Sequence, residues 1–103
     1  MKERDIQRQI LSWLKLHRIF HFRNNSGAMV SRYKGKTRFM RFGALGSPDI
    51  FAVHNGKIYG IEVKGAHGYL SDNQREFSGE FEKAGGVYIV ARKLEDVMHL
   101  WGA

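Results

Sequence analysis

The sequence predicts one α/β domain over residues 1–103, with a central mixed β-sheet flanked by helices. Asn55-Gly56 lies between two apolar β-type runs, and this is the strongest short-range signal of a hairpin because a type I′ turn needs positive φ at both central residues. A capped helical segment follows the second of these runs and precedes a further strand, a pattern that favours a parallel crossover. An amphipathic helix begins the chain. A chain of 103 residues is long enough for one modest core.

The first half of the chain is predicted to contain a helix, a strand and a hairpin. Apolar residues at helical spacing predict the helix over about residues 3–17. Residues 19–23 are expected to form a short strand that ends in a polar turn. Segments 29–33 and 37–42 are expected to pair, with the turn at Lys34-Gly35. We refer to residues 29–42, the two segments with the turn between them, as the ribbon.

The central hairpin begins after the breaker-rich segment 43–48, in which Pro48 biases Ser47 to an extended conformation. With Asn55-Gly56 as the turn, the register pairs residues whose numbers add to 111: His54 with Lys57, Val53 with Ile58, Phe51 with Gly60, and Asp49 with Glu62. Both strands are apolar on both faces, and we therefore expect them to be covered on two sides.

The second half of the chain is predicted to supply two helices and one strand. Ser71 and Gln74 form a capping box at the start of a helix over 72–84, which is expected to bury Phe77, Phe81 and Ala84. A strand over 87–91 and a terminal helix over 94–101 follow. With the ribbon counted as one β-element, the predicted order is α-β-β-β-β-α-β-α.

Composition restricts the class of protein. The chain contains no cysteine, which excludes disulfides and thiolate metal sites and favours an intracellular location. No apolar run is long enough for a membrane span, and the N-terminus lacks the apolar stretch of a signal peptide. We therefore expect a soluble, cytoplasmic protein with no membrane partner.

The positive charge is concentrated in the first half of the chain. The net charge is +7, but residues 1–46 carry eleven Lys or Arg and two acids, a balance of +9. Such a surface favours a polyanion, whose phosphates would provide salt-dependent affinity. The candidate DNA-binding residues are the basic residues of the ribbon: Arg32, Lys34, Lys36, Arg38 and Arg41. The aromatic residues among them either contact sugars and bases or form the apolar side of the hairpin.

Asp49, Glu62 and Lys64 are the candidate catalytic residues. In the predicted register the two acids face each other, where like charges are destabilising unless something compensates them. A divalent cation would do so, and Lys64 lies two residues beyond Glu62 on the same face. This arrangement is typical of a metal-dependent phosphodiesterase. The alternative is that Asp49 ends a strand while Glu62 and Lys64 form a solvated ion pair. Glu3 is expected on the core side of the first helix, either as a metal ligand or as an acid that interacts favourably with the helix dipole.

These residues give the chain a resemblance to the PD-(D/E)xK nuclease superfamily and, within it, to the VRR-NUC domain. The matching positions span nearly the whole chain: Glu3, Gly46-x-Pro48-Asp49, Glu62-Val63-Lys64, Gly68-x-Leu70-Ser71-x-x-Gln74, and the Gly86-Val87 strand. The resemblance implies a restriction-endonuclease-like core that binds Mg²⁺ or Mn²⁺.

The resemblance also implies a role for each matching residue. Asp49, Glu62 and the main-chain carbonyl of Val63 would be metal ligands, and Glu3 would be an added or water-mediated ligand. Lys64 would orient or activate the attacking water, and Gln74 would help to hold Lys64 or that water. Small family members of this kind, common in phages and bacteria, are homodimeric endonucleases that cut four-way (Holliday) DNA junctions.

The sequence leaves three functions open. The first is a structure-selective DNA endonuclease acting as a dimer. Candidates for its interface are the ribbon residues Phe39, Met40 and Phe42 and the terminal Met98 and Trp101, with a place in the core as the alternative for all of them. The second is a nucleic-acid-binding module that does not cut. The third is a nickase or exonuclease that uses the same metal site on flaps or simple duplex.

Overall fold

The computed structural model describes residues 1–24, 28–41 and 44–101, and in residues 28–33 and 38–41 it describes the backbone only. The helices and strands lie close to the predicted positions. In chain order they are α1 (Glu3–Leu16), β1 (Phe20–Arg23), β2 (Ala28–Tyr33), β3 (Lys36–Arg41), β4 (Ile50–His54), β5 (Lys57–Val63), α2 (Asp72–Lys83), β6 (Val87–Ala91) and α3 (Glu95–Met98), which a 3₁₀ turn (His99–Trp101) follows. Five strands precede α2, because the ribbon supplies two.

A mixed four-stranded sheet forms the centre of the domain, in the order β1-β4-β5-β6. β1 and β5 both pair antiparallel with β4, whereas β5 and β6 are parallel, as the crossover predicted. The ribbon strands β2 and β3 form a separate two-stranded antiparallel sheet. This is a mixed α/β fold, as predicted.

The Asn55-Gly56 register is confirmed over the length of β4. Phe51 pairs with Gly60, and the ladder runs from His54 opposite Lys57 to Ile50 opposite Ile61. It stops one pair short of Asp49 and Glu62, so Asp49 lies just before the strand and the predicted pairing of the two acids is not part of the ladder.

The main core lies between one face of the sheet and the helices α1 and α3. Its fully or almost fully buried members are Ile6, Ile10, Leu14, Ile50, Ala52, Ile61, Val63, Ala91 and Val97. Trp101 stacks on Trp13 with ring centroids 5.9 Å apart, and Met98 also packs against this core. Met98 and Trp101 are half-buried and pack against the core of their own chain, as the alternative prediction has it. Phe39 and Met40 lie in β3 with undescribed side chains, and Phe42 lies outside the described residues.

The opposite face of the sheet is covered only in part. Phe81 of α2 packs on Phe51, with ring centroids 5.9 Å apart, but Val53 is 36% exposed and Ile58 is 38% exposed. The prediction that both faces are covered was therefore wrong for these two residues, because α2 packs mainly against β6 and does not reach them. Ala84, which was predicted to be buried, is the exposed C-cap residue of α2. Within the described residues, no helix is both long and apolar enough to span a membrane.

Candidate active site

The candidate catalytic residues meet at one end of the central sheet. β4 begins at this end. The strands β1, β5 and β6 all run in the opposite direction to β4, and each of them therefore ends here. The N-termini of α1 and α2 approach the same end, since Glu3 contacts Gly65 and Gln74 contacts Glu62. The topology thus gathers polar residues that lie more than 70 positions apart in the sequence.

Asp49 is held on both sides by backbone hydrogen bonds. Its Oδ2 accepts a hydrogen bond of 2.8 Å from the amide of Val63, and its main-chain carbonyl accepts one of 2.7 Å from the amide of Asn24. The Asn24 side chain also donates to the Ser47 hydroxyl at 2.7 Å and to the Pro48 carbonyl at 2.9 Å. These contacts fix the Ser-Pro-Asp segment between β1 and β5.

Gly46 lets this segment approach the start of α2. It has φ of +79°, and a Cβ at this position would overlap the carbonyl group of Asn73. No larger residue fits without moving the helix or the loop. Gly46 therefore sets the distance between the Asp49 segment and Gln74, which follows Asn73.

Glu62 is the most buried acid of the site, at 4% exposure. Its Oε2 accepts a hydrogen bond of 3.0 Å from the side-chain amide of Gln74 and lies 3.5 Å from Nζ of Lys64. Burial raises the pKa of Glu62 to about 7, and the neighbouring Asp49 carboxylate adds to this rise while Lys64 opposes it. One lysine therefore only partly compensates the acidic pair.

Asp49 responds to the same environment. Burial raises its pKa above the ordinary value of 3.8, although the Val63 hydrogen bond and the Lys64 charge act in the opposite direction. Two neighbouring carboxyl groups whose pKa values are both raised form a site in which negative charge is only partly compensated. Perturbation of this kind is common at functional sites.

The capping box of α2 orients Gln74. Ser71 Oγ accepts from the Gln74 amide at 3.2 Å, and Gln74 Oε1 accepts from the Ser71 amide at 2.9 Å. Because Oε1 is occupied, the NH₂ group of the side chain faces Glu62. Gln74 thus contacts the Glu62 carboxylate, which itself lies 3.5 Å from Nζ of Lys64. The role predicted for Gln74, to hold Lys64 or the attacking water, stays a prediction.

Glu3 lies beside the site without joining a three-ligand cluster. Its Oε1 accepts a hydrogen bond of 3.2 Å from the amide of Gly65, and its charge contributes to the raised pKa of both Asp49 and Glu62. Among residues 1–24, 28–41 and 44–101, no group of three or more His, Asp or Glu is arranged to hold a metal ion. Asp49 and Glu62 are thus two neighbouring carboxyl groups whose charges interact, and Glu3 interacts with both.

Sequence reasoning missed three residues at this end of the sheet. Asn24, described above, was assigned only to a polar turn. Nη1 of Arg92 donates to the carbonyl of Gly65 at 2.6 Å and so anchors the segment after Lys64. The Tyr88 hydroxyl is buried without a hydrogen-bond partner among the described residues, and burial with the nearby acids raises the pKa of Tyr88. Each placement depends on strand pairing between distant segments, for which the sequence carries no local signal.

The predicted DNA-binding residues all fall on the ribbon. Lys34 is in its turn and Lys36 begins β3, and both side chains are exposed. The backbone of Arg32 lies in β2 and that of Arg38 and Arg41 lies in β3, but the structure does not describe their side chains.

No protein-family model matches this chain, and no curated protein matches it.

Proposed function

We propose that this protein is a divalent-metal-dependent endonuclease that hydrolyses phosphodiester bonds in branched DNA. The observation that carries the proposal is a buried Glu62 close enough to Asp49 for their charges to interact, with Nζ of Lys64 3.5 Å from the Glu62 carboxylate. Two partly desolvated acids and one ammonium leave an uncompensated negative charge, and buried charges need partners. A hard cation with oxygen ligands would supply that partner.

The donor set fits Mg²⁺ or Mn²⁺. Asp49, Glu62 and the main-chain carbonyl of Val63 would hold the ion, and Glu3, whose Oε1 accepts from the amide of Gly65, would be an added or water-mediated ligand. All these donors are oxygen atoms, which hard cations prefer. When bound, such an ion stabilises the charge on the phosphate oxygens and lowers the pKa of the attacking water.

The protein's own residues then have distinct roles. Lys64, held against Glu62, places an ammonium where it stabilises negative charge in the transition state and orients the attacking water. Gln74 holds the Glu62 carboxylate, and the capping box holds Gln74. Since the pKa of Glu62 is about 7 without a cation, proton loss from Glu62 accompanies metal binding near neutral pH.

A simple ion pair between Glu62 and Lys64 does not explain why Asp49 lies beside them. The contact between Glu62 and Lys64 would exist without Asp49, yet Asp49 is fixed beside them by hydrogen bonds on both sides. A module that only binds nucleic acid gains nothing from buried acids, because they repel phosphates. The basic ribbon suits either function, whereas the acidic pair favours hydrolysis.

The substrate and the assembly are proposed from the resemblance to VRR-NUC domains. Cutting a four-way junction requires two symmetric incisions, and a C₂ homodimer would present two equivalent sites. In this proposal the basic ribbon contacts phosphates of the junction arms.

The test incubates a labelled four-way junction with the protein in Mg²⁺, in Mn²⁺ and in EDTA. Asp49→Ala removes a proposed ligand, and Asp72→Ala is the matched control because Asp72 is an exposed carboxylate on α2. We expect metal-dependent nicks from the wild type and from Asp72→Ala, and none from Asp49→Ala. Flap, splayed-arm and linear duplex substrates at the same salt concentration establish the preferred structure.

Two outcomes would overturn parts of the proposal. A wild type that binds the junction but makes no nick in either metal would identify a non-cleaving module. Equal cutting of linear duplex and of the junction would remove the claim of branch selectivity while leaving a nuclease.

A further inference from the structure

A cleft of about 300 Å³ lies between α1 and the end of β1, lined by Arg4, Gln7, Arg8, Leu11 and Arg23. We call it the arginine cleft. The four α1 residues occupy positions i, i+3, i+4 and i+7 and therefore share one face of the helix. Arg23 is the last residue of β1 and closes the cleft from the sheet.

Three arginines line this cleft, and carboxylates of the protein compensate their charge poorly. Arg8 lies 4.0 Å from Asp5, with both side chains well exposed, and such pairs contribute little. Neither Arg4 nor Arg23 forms an ion pair with any carboxylate among the side chains that the structure describes. Like charges lining a cleft repel one another unless an anion enters.

The positive charge of Arg4 does not stabilise the helix that carries it. Arg4 lies in the first turn of α1, where the helix dipole disfavours cations and favours acids such as Glu3 and Asp5. An arginine at this position is therefore unfavourable for the helix and favourable for an anion in the cleft. Arginine is suited to phosphate because its planar donors can bind two oxygens at once.

The cleft borders the candidate active site. Arg4 follows Glu3, whose carboxylate accepts from Gly65 next to Lys64. Arg23 precedes Asn24, whose amide donates to the carbonyl of Asp49. The positive charge of Arg23 also reaches the carboxyl group of Asp49 and opposes the rise of its pKa that burial causes. A DNA strand passing the acidic pair would therefore bring further phosphates to the arginines.

We propose that the arginine cleft binds a backbone phosphate of the DNA substrate, outside the metal site and separate from the ribbon. Arg4 and Arg23 contact the phosphate oxygens, Gln7 adds an amide donor, and Leu11 provides an apolar contact for the sugar. This inference rests on the proposed function, since it adds a second anchoring point for the same substrate.

The test measures binding of a labelled four-way junction in EDTA, where no cleavage occurs. Arg4→Gln/Arg23→Gln removes two charges from the cleft, and Lys57→Gln/Lys83→Gln removes two exposed charges elsewhere. We expect the cleft variant to bind about 10-fold more weakly, with the slope of log affinity against log salt reduced by about one. The control should change affinity by less than about 3-fold, with the wild-type slope. Arg4→Lys/Arg23→Lys should restore the slope but only part of the affinity.

The outcomes separate this inference from the proposed function. If Arg4→Gln/Arg23→Gln binds the junction as tightly as the control, with the same salt slope and a wild-type melting temperature, the cleft assignment is wrong even if the wild type cuts DNA. If the cleft variant loses affinity and the wild type makes no nicks, the cleft stands and the nuclease proposal fails. The cleft could also bind free phosphate and not a DNA phosphate, and calorimetry with inorganic phosphate measures this binding. Arginine-dependent phosphate binding with an unchanged DNA slope would assign the cleft to a free anion and overturn its role in DNA binding.

Discussion

The domain contains two hairpins whose turns have almost the same backbone geometry. In the β4–β5 hairpin, Asn55 has φ of +51° and Gly56 has φ of +77°; in the ribbon, Lys34 has +50° and Gly35 has +74°. Each turn joins antiparallel strands through two residues with positive φ, as type I′ turns do. Local chemistry therefore reverses the chain in the same way at both places.

The surroundings of the two hairpins differ. β4 and β5 are central strands whose Ile50, Ala52 and Ile61 are completely buried, while β2 and β3 pair only with each other. An isolated two-stranded hairpin gains little from burial. The comparison shows that turn residues determine where the chain reverses, whereas packing determines which hairpin can hold desolvated acids.

The largest expected effect separates the two hairpins by function. Glu62→Gln replaces a proposed metal ligand at the end of the β4–β5 hairpin and should lower single-turnover cleavage of a junction by about 10³-fold or more. Lys34→Gln/Lys36→Gln removes two ribbon charges and should weaken junction binding about 10-fold. At saturating enzyme, however, this ribbon variant should cleave at the wild-type rate. Glu76→Gln, an exposed acid on α2, is the control for Glu62→Gln. Full activity of Glu62→Gln would refute the site assignment.

The second prediction concerns the pH dependence of stability without metal. The pKa of Glu62 is about 7 in the folded state and 4.5 ordinarily, and that of Asp49 is also raised. The folded state thus binds more protons than the unfolded state between these values. Glu62 contributes stability that is fully present below about pH 4.5 and is lost as pH rises through about 7, at most about 3 kcal/mol.

Urea unfolding in EDTA between pH 5 and 8 measures this effect. The free energy of unfolding of the wild type should fall relative to that of Glu62→Gln as pH rises, and the difference cancels the titration of the histidines. Mg²⁺ at pH 8 should raise the stability of the wild type more than that of the variant. Parallel pH profiles for the two proteins would show that Glu62 titrates normally.

Much of the fold could be predicted because its signals are local. The Asn55-Gly56 turn fixed the β4–β5 register, and the Ser71 and Gln74 capping box fixed the start of α2, both as the structure has them. Lys34-Gly35 likewise located the ribbon turn. Each of these signals involves residues that are neighbours in sequence and in space.

The parts that could not be predicted depend on long-range packing. Apolar residues on both faces of β4 and β5 did not reveal that α2 leaves Val53 and Ile58 exposed. The capping box predicts the partner of the Gln74 side-chain oxygen, but it does not predict that the NH₂ group of the same side chain contacts Glu62. Arg23 comes near Asp49 only because β1 pairs with β4, opposite Ile50.

The smallest expected effect tests whether the two hairpins unfold together. Gly56→Ala and Gly35→Ala should each strain their turn by about 1 kcal/mol, because both glycines have positive φ. An added Cβ would meet no atom within 4 Å at either position, so no steric clash adds to this strain. Gly56→Ala should lower the global free energy of unfolding by that amount, since β4 and β5 belong to the core. Gly35→Ala should leave the global free energy of unfolding unchanged if the ribbon opens independently, and should instead speed amide exchange in β2 and β3.

Urea unfolding followed by the fluorescence of Trp13 and Trp101 reports on the core alone. Gly79→Ala in α2, where the Cβ also meets nothing within 4 Å, should stabilise the protein by about 0.5–1 kcal/mol and shows that the assay resolves such changes. Equal losses for Gly56→Ala and Gly35→Ala would mean that the ribbon and the central sheet form one cooperative unit.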